Sequence, residues 1–356
     1  MNQISDIYQD YRERILSAVA TGGPLVIQGG GSKSFYGRAV EGDIVDTRPC
    51  SGIISYEPSE LVLTAHAGTP LREIENVLAE QRQMLAFEPP AFAKSATFGG
   101  TIACGLSGPR RPYTGSVRDY VLGIKCLTGR GDILKFGGQV MKNVAGYDVS
   151  RLMTGALGTL GLLLEISIKV QPLSEYEINL AGKADFSTAL QAMNSWAGQS
   201  LSLSAACYDG DYLHVRLSGK HSAVNAARKK LALVDAEDAP DYWQKLREHR
   251  LDFFQSGRRH LWRLAVPATS PALDLSGDWL IDWGGAQRWL QTDEPMEKIR
   301  LLTQQACGHA TLFCGGDHSR EVFHPLAPGI LDLHMRLKQA FDPAHILNRR
   351  RMYQDI

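Results

Sequence analysis

The chain has 356 residues, and at roughly 150 residues per domain it has room for two domains with sizeable cores, which excludes a disordered chain or a miniature scaffold. Its 38 Lys+Arg offset its 38 Asp+Glu, so the positive field of a nucleic-acid binder is missing. Glycine is in excess, at 35 residues, just under a tenth of the chain against a usual ~7%.

The first residues carry Asp6 where a secretion signal needs positive charge, and no apolar core of roughly 7–15 residues follows. Positions Ile7, Tyr11, Ile15, Leu16 and Val19 have helical spacing and predict a helix over 6–19, stopped by Gly22-Gly23-Pro24. Leu25-Val26-Ile27 then reads as a strand running into Gln28-Gly29-Gly30-Gly31-Ser32-Lys33-Ser34. A β region over Gly52–Ala67 precedes Pro70 and an amphipathic helix with Leu71, Ile74, Val77 and Leu78 on one face. From Val117 to Gly137 two β runs flank Thr128-Gly129-Arg130-Gly131-Asp132, a hairpin turn. Asp148 can cap a helix holding Leu152 and Met153, ahead of Gly155, Gly158, Gly161 and a strand over Leu162–Val170. That strand, the most apolar stretch, is broken by Glu165 and is far shorter than the ~20 residues of a membrane span.

Past residue 173 glycine clusters thin out and helices alternate with strands, which predicts a second domain. Strands are expected near 176–181, 201–208, 211–217, 260–266 and 309–313, and helices near 186–197, 221–232, 239–249, 294–306 and 328–341. Asp209-Gly210-Asp211 marks a hairpin. The tail from Phe341 to Tyr353 is basic and reads as irregular. The domain plan is therefore 1–173, 174–340 and a returning tail 341–356. The six cysteines (50, 104, 126, 207, 307, 314) form no Cys-x-x-Cys, so they read as reduced thiols of a cytoplasmic protein, with no metal site expected.

Backbone approaches a phosphate closely only where no Cβ intervenes, and consecutive amides form an anion nest. Three segments qualify: Gly29–Ser34, Thr97-Phe98-Gly99-Gly100-Thr101, and Gly155-Ala156-Leu157-Gly158-Thr159-Leu160-Gly161. None is a P-loop, because Ser32 precedes Lys33 and Ile27 holds the outer glycine position. None is a Rossmann fingerprint, because the third runs Gly-x-x-Gly-x-x-Gly from helix to strand. Any one of them alone reads as an ordinary turn; three together favour a diphosphate ligand.

Gln28-Gly29-Gly30-Gly31-Ser32-Lys33 resembles the pyrophosphate loop of the vanillyl-alcohol-oxidase/PCMH flavoprotein family. Further blocks agree in order: Glu88-Pro89-Pro90 with Thr97–Ala103, Tyr113–Gly123, Lys142-Asn143-Val144-Ala145-Gly146-Tyr147-Asp148 continuing through Gly155–Gly161 to Glu165, and Asp342-Pro343 with Ile346-Leu347-Asn348. The resemblance implies an α+β fold, a PCMH-type FAD-binding domain of two subdomains followed by a smaller ferredoxin-like α+β cap. It also implies FAD held by Gly29, Gly30, Gly31, Ser32, Lys33, Ser34, Pro90, Thr97, Gly99, Gly100 and Thr101. Ala103 and Gly105 would let the flavin ring lie close or simply form a packing face, and Gly161 would line the adenine side. Arg110, Arg111 and Arg118 would neutralise flavin or substrate charge, or form salt bridges such as Arg118–Asp119. Covalent relatives use a His or Cys near the ring; residues 28–38 hold neither, so non-covalent FAD is expected.

Ala103–Pro112, Phe136–Asp148 and Leu280–Ala286 resemble a branch of that family whose members are FAD-binding subunits of complexes oxidising glycolate, a small 2-hydroxy acid, to glyoxylate. This implies two partners, a larger FAD-containing catalytic subunit and an iron–sulfur subunit that takes the electrons, and a cytoplasmic chain reaching the inner face of the membrane only through its complex. Two departures qualify the resemblance. Cys314-Gly315-Gly316-Asp317-His318-Ser319-Arg320-Glu321 stands where dehydrogenase relatives have His-x-Gly-Asp-Gly-Asn-x-His, so both histidine positions are replaced. Asn348-Arg349-Arg350-Arg351-Met352 stands where they have Asn-Pro-Gly-Lys/Arg-Met, which implies looser packing of the tail on the flavin. No residue is assigned as catalytic; His318 and Arg110 are the candidates. The alternatives are a self-sufficient FAD-dependent dehydrogenase of the D-lactate type, with a substituted base such as His318, and a scaffold subunit keeping FAD for stability. Trp279, Trp283 and Trp289 are expected to fill the second domain's core or a subunit interface.

Overall fold

A computed structural model describes residues 3–138, 148–236, 239–255 and 260–356. The N-terminal part opens with helix Gln3–Thr21, whose buried Tyr8, Tyr11, Ile15 and Ala18 recur at the spacing of one helical face. Strand Leu25–Gln28 pairs in parallel with Asp43–Asp46. A five-stranded antiparallel sheet follows, in the order Ile53–Glu57, Val62–His66, Leu162–Lys169, Val121–Leu127, Ile133–Gly137. Leu162–Lys169 lies at its centre, and its even-numbered positions from Leu162 to Ile168 are completely or almost completely buried. Against this sheet pack helices Leu71–Glu80 and Phe98–Cys104, through Leu71, Ile74, Leu78, Phe98 and Ile102.

The second part is one eight-stranded antiparallel sheet, ordered Val234–Asp235, Tyr176–Lys183, Tyr212–Gly219, Leu203–Tyr208, Asp278–Asp282, Gln287–Thr292, His260–Ala265, His309–Cys314. Its first half runs β-α-β-β-α-β with strand order 4-1-3-2, which is the ferredoxin-like arrangement. The second half joins it at the Tyr208–Ile281 pair.

Strands Asp43–Asp46, Asp278–Asp282 and Gln287–Thr292 depart from the sequence expectation. Gln287–Thr292 is buried at all six positions although Gln287, Arg288, Gln291 and Thr292 are polar, so it shows neither alternation nor an apolar run. Arg288 is fully buried because it donates to the carbonyls of Gly285, Pro271 and Ser270.

The two sheets meet across a buried ion cluster. Glu88 pairs with Arg110 at 3.2 Å and with Arg216 at 2.8 Å, and Arg110 reaches Glu177 at 2.9 Å. Trp283 donates its indole N–H to Gly108 O at 3.0 Å and carries Arg111 over its ring. The tail then crosses back to the first part. Helix Pro328–Phe341 ends at Asp342, whose carboxylate takes the Lys338 ammonium at 2.7 Å and the amides of Ile346 and Leu347. Both charged side chains are wholly buried, and Leu25 N–H donates to Ile346 O at 2.7 Å.

Candidate functional site

The Gly29–Ser34 loop leaves strand Leu25–Gln28 and lies along the start of helix Phe98–Cys104, enclosing with Leu157, Asn348 and Arg351 a cavity of about 310 Å³. Two loops create this wall by close approach. A Cβ on Gly30 would lie 1.4 Å from Ser95 O, and one on Gly29 2.3 Å from Thr97 Oγ1. Ser95 Oγ donates to Gly30 O at 2.6 Å and latches them together. The absent side chains therefore serve first to bring the two glycine segments into contact, which is why these two positions accept only glycine. Gly31 adopts φ +68°, turning the chain back along the cavity.

Among the described residues, the amides of Gly30, Gly31, Ser32 and Lys33 donate to no other residue. Four consecutive free N–H groups on a cavity wall form a nest of the kind that takes phosphate oxygens. Thr97 caps its helix by accepting Gly100 N–H at 3.2 Å, and both residues line the cavity with that amide engaged. Lys33 is buried without a carboxylate partner; its ammonium lies 3.4 Å from both Ser32 Oγ and Ala91 O and over the Phe92 ring. Burial holds its pKa below the usual lysine range, and nearby Cys104, Glu248 and Glu75 oppose that shift. A bound diphosphate would supply the missing counter-charge. The cavity and its donor set fit FAD.

Some predicted residues gather here and others do not. Gly29, Gly30, Gly31, Ser32, Lys33, Ser34, Thr97, Gly100 and Ala103 line the cavity. Gly99 instead packs on Ala67, Thr101 binds Thr97 O inside the helix, and Gly105, at φ +65°, ends that helix against Gly155. Gly161 sits on Leu127 O within the sheet. Pro90 lies in a separate cavity between the two sheets. Arg118 is exposed at the rim of a third hollow with Arg151 and His334, while Asp119 is engaged by Ser116. Residues 142–147 of the Lys142–Asp148 motif lie outside the described residues.

Three expectations change. Arg110 belongs to the ion cluster with Glu88 and Glu177 and is spent on joining the sheets. His318 presents both ring nitrogens to carbonyls, Gly37 O at 2.9 Å and Gly315 O at 3.0 Å, so neither is aimed into the cavity as a base. The tail packs tightly on the cradle. Asn348 accepts Ile27 N–H at 2.8 Å and donates to Leu157 O at 2.6 Å; Arg351 donates to the carbonyls of Ser34, Tyr36 and Arg38 and lines the cavity. The two replaced positions, Arg349 and Arg350, are exposed, and Arg350 takes φ +66°, the conformation that suits the glycine found there in relatives.

Sequence reasoning missed Arg351 and Cys104 as wall residues. The signal for Arg351 was present, because counting from Asn348 puts it at the Lys/Arg position of the tail motif. Cys104 gave none, since it lies one residue beyond Ala103 and only the helix turn faces it inward. Burial raises its thiol pKa, against Lys33 and Arg351. Among the described residues no His, Cys, Asp and Glu cluster is arranged to hold a metal ion.

An amide nest, a buried lysine and a glycine-dependent contact between two loops, set beside an antiparallel sheet with a ferredoxin-like partner, define an FAD-binding protein of the PCMH type, an FAD-dependent oxidoreductase. A family model described as an FAD binding domain matches residues 8–137. The solved structure of an alkyldihydroxyacetonephosphate synthase superposes with a TM-score of 0.68 over 95% of this chain and 74% of that one at 16% identity, which shows the shared fold. The Escherichia coli (strain K12) protein named glycolate oxidase subunit GlcE is 46% identical over 99% of both chains. The Bacillus subtilis (strain 168) glycolate oxidase subunit GlcD is 33% identical over 43% of this chain and 33% of its own length. The chain belongs to the family of the GlcE subunit. No helix among the described residues is long and apolar enough to cross a membrane.

Proposed function

We propose that this chain is the FAD-binding subunit of a complex that oxidises glycolate to glyoxylate, and that it relays electrons to an iron–sulfur subunit. The end-to-end similarity to a glycolate oxidase subunit carries this reading, and the chain's similarity to a second subunit of such an enzyme supports a larger flavin partner. FAD when bound supplies the two-electron chemistry. This chain's residues do the holding: the Gly30–Lys33 amides take the diphosphate, Lys33 and Arg351 offset its charge, and Ala103 gives the ring a wall without bulk. Residues 28–38 hold neither histidine nor cysteine and burial raises the pKa of the Cys104 thiol on the wall, which supports non-covalent FAD; hydride removal then falls mainly to the partner. We assign 1–173 to cofactor binding, 174–340 to the cap and 341–356 to the tail that closes the cradle.

The test is anaerobic addition of glycolate to the purified chain alone and to the chain with its partners, following the flavin absorption band. Bleaching only with partners is expected. Bleaching in the isolated chain would assign substrate oxidation to it, and pigment left on acid-precipitated protein would overturn non-covalent attachment.

A further inference from the structure

Glu248 directly follows helix Ala239–Arg247 in the second part of the chain, and its carboxylate reaches across to the first. Pro89 and Pro90 have no N–H, so the first amides available after Glu88 are those of Ala91 and Phe92. Both go to Glu248. Its Oε2 accepts Ala91 N–H at 3.1 Å and Phe92 N–H at 2.7 Å, and its Oε1 lies 3.3 Å from the Ala91 nitrogen. Arg247 donates to Oε1 from the other side at 2.9 Å, and only 8% of the Glu248 side chain is exposed. A carboxylate so enclosed is stable because each oxygen meets charge-assisted or backbone donors.

The turn that Glu248 holds is strained, and it faces the cradle. Phe92 adopts φ +59°, a left-handed conformation that a bulky residue keeps only where its surroundings over-determine it. Two consecutive amides on one carboxylate do so, together with the contacts of the Phe92 ring against His249 at 5.0 Å and Phe35 at 5.4 Å. That ring lies on the wall of a small aromatic cavity between the two sheets, with Arg263, Trp289 and Phe313. The same turn carries Lys33. Ala91 O accepts its ammonium at 3.4 Å, and the ammonium lies 5.9 Å from the centre of the Phe92 ring. Among the described residues, the only other group bonded to that ammonium is its neighbour Ser32.

We infer that Glu248 is a positioning residue for the FAD cradle: by pinning the Ala91–Phe92 turn it places the Lys33 ammonium at the diphosphate site, so the second part of the chain governs how tightly the first holds its cofactor. Glu248 is not part of the cavity wall and acts through the turn. A lysine ammonium on a flexible stem has no fixed place of its own, and a held carbonyl and ring supply one. The inference rests on the charge-offsetting role given to Lys33 above and is independent of the substrate of the complex.

The experiment dilutes the FAD-loaded full chain serially and follows FAD release by flavin fluorescence. Glu248→Ala and Lys33→Met should each weaken FAD retention about tenfold, whereas Glu248→Gln, which keeps a carbonyl acceptor at the same reach, should weaken it no more than about twofold. Adding Glu248→Ala to Lys33→Met should weaken it no more than about twofold further, because no ammonium is then left to place. Should Glu248→Ala fail to fold, Glu248→Asp, which keeps the charge and loses the reach, is read instead, alone and with Lys33→Met, with about threefold weaker retention expected. Unchanged retention in the variant that is read, an equal loss with and without Lys33, or a Glu248→Gln protein as weak as that variant overturns the inference. Wild-type retention in Lys33→Met overturns the role of Lys33 and the inference with it; loss in Lys33→Met with none in the Glu248 variant overturns the inference alone.

Discussion

The cradle along Gly29–Ser34 and the aromatic cavity around Arg263 are built from opposite materials. The cradle's wall is mainly backbone: free amides, glycines whose missing Cβ atoms let Ser95 and Thr97 approach, and one buried lysine. The other cavity is made of side chains brought from positions 90 to 313, and the backbone of its strand residues Arg263, Asp282, Gln287 and Trp289 is already paired in the eight-stranded sheet. A backbone site depends on local conformation and fails when a loop shifts. A side-chain site depends on how two units are joined and fails when the joint loosens.

The largest expected effect tests how far the cradle depends on the distant tail. Asp342→Ala strands the wholly buried Lys338 ammonium and frees the amides of Ile346 and Leu347, and should cost about 3–5 kcal/mol in urea unfolding, with FAD lost early. If FAD retention and stability both survive, the tail is a passive strap.

Glu88→Gln attacks the joint instead. It leaves Arg110 with Glu177 alone and Arg216 without its closest carboxylate, and should cost about 3 kcal/mol. Burial raises the Glu88 carboxyl, but the Arg216 and Arg110 guanidiniums outweigh that and hold it below the usual range. The stability this pair contributes is thus present above the ordinary glutamate value of about 4.3 and lost as pH falls through the lower folded value. Wild-type stability should drop steeply below about pH 4, and the variant should show a flatter acid limb; equal limbs would remove Glu88 from the acid response.

Gly30→Ala should cost about 1–3 kcal/mol by overpacking against Ser95 O and release FAD, read as a fall in the flavin-to-protein absorbance ratio, while the Arg263 cavity keeps its tryptophan signal. The smallest effect is expected from Arg118→Ala: this exposed residue stands away from the cradle, so stability should change by less than about 0.5 kcal/mol and FAD content should hold. A pale Arg118→Ala protein would extend the cradle to that rim.

Much of the fold could be read before the structure. Helices 186–197 and 328–341 coincide with their expected spans because their apolar spacing and flanking residues are local properties. Gln287–Thr292 was hidden because Arg288 and its polar neighbours are buried by partners elsewhere in the chain. His318 illustrates the same limit: its residue type fits a base, and only the carbonyls of Gly37 and Gly315 show that its nitrogens are engaged.

By itself the sequence determined the chemistry of the cradle. Glycines at fixed positions beside strand and helix ends define free amides, and a neutral chain leaves those amides and one lysine to hold a diphosphate. The tertiary structure decided which glycines meet the cavity and which merely pack, and that Asn348 and Arg351 close it from more than 300 positions away. Backbone conformation is encoded within a few residues, whereas a side chain's partners depend on how distant segments are brought together.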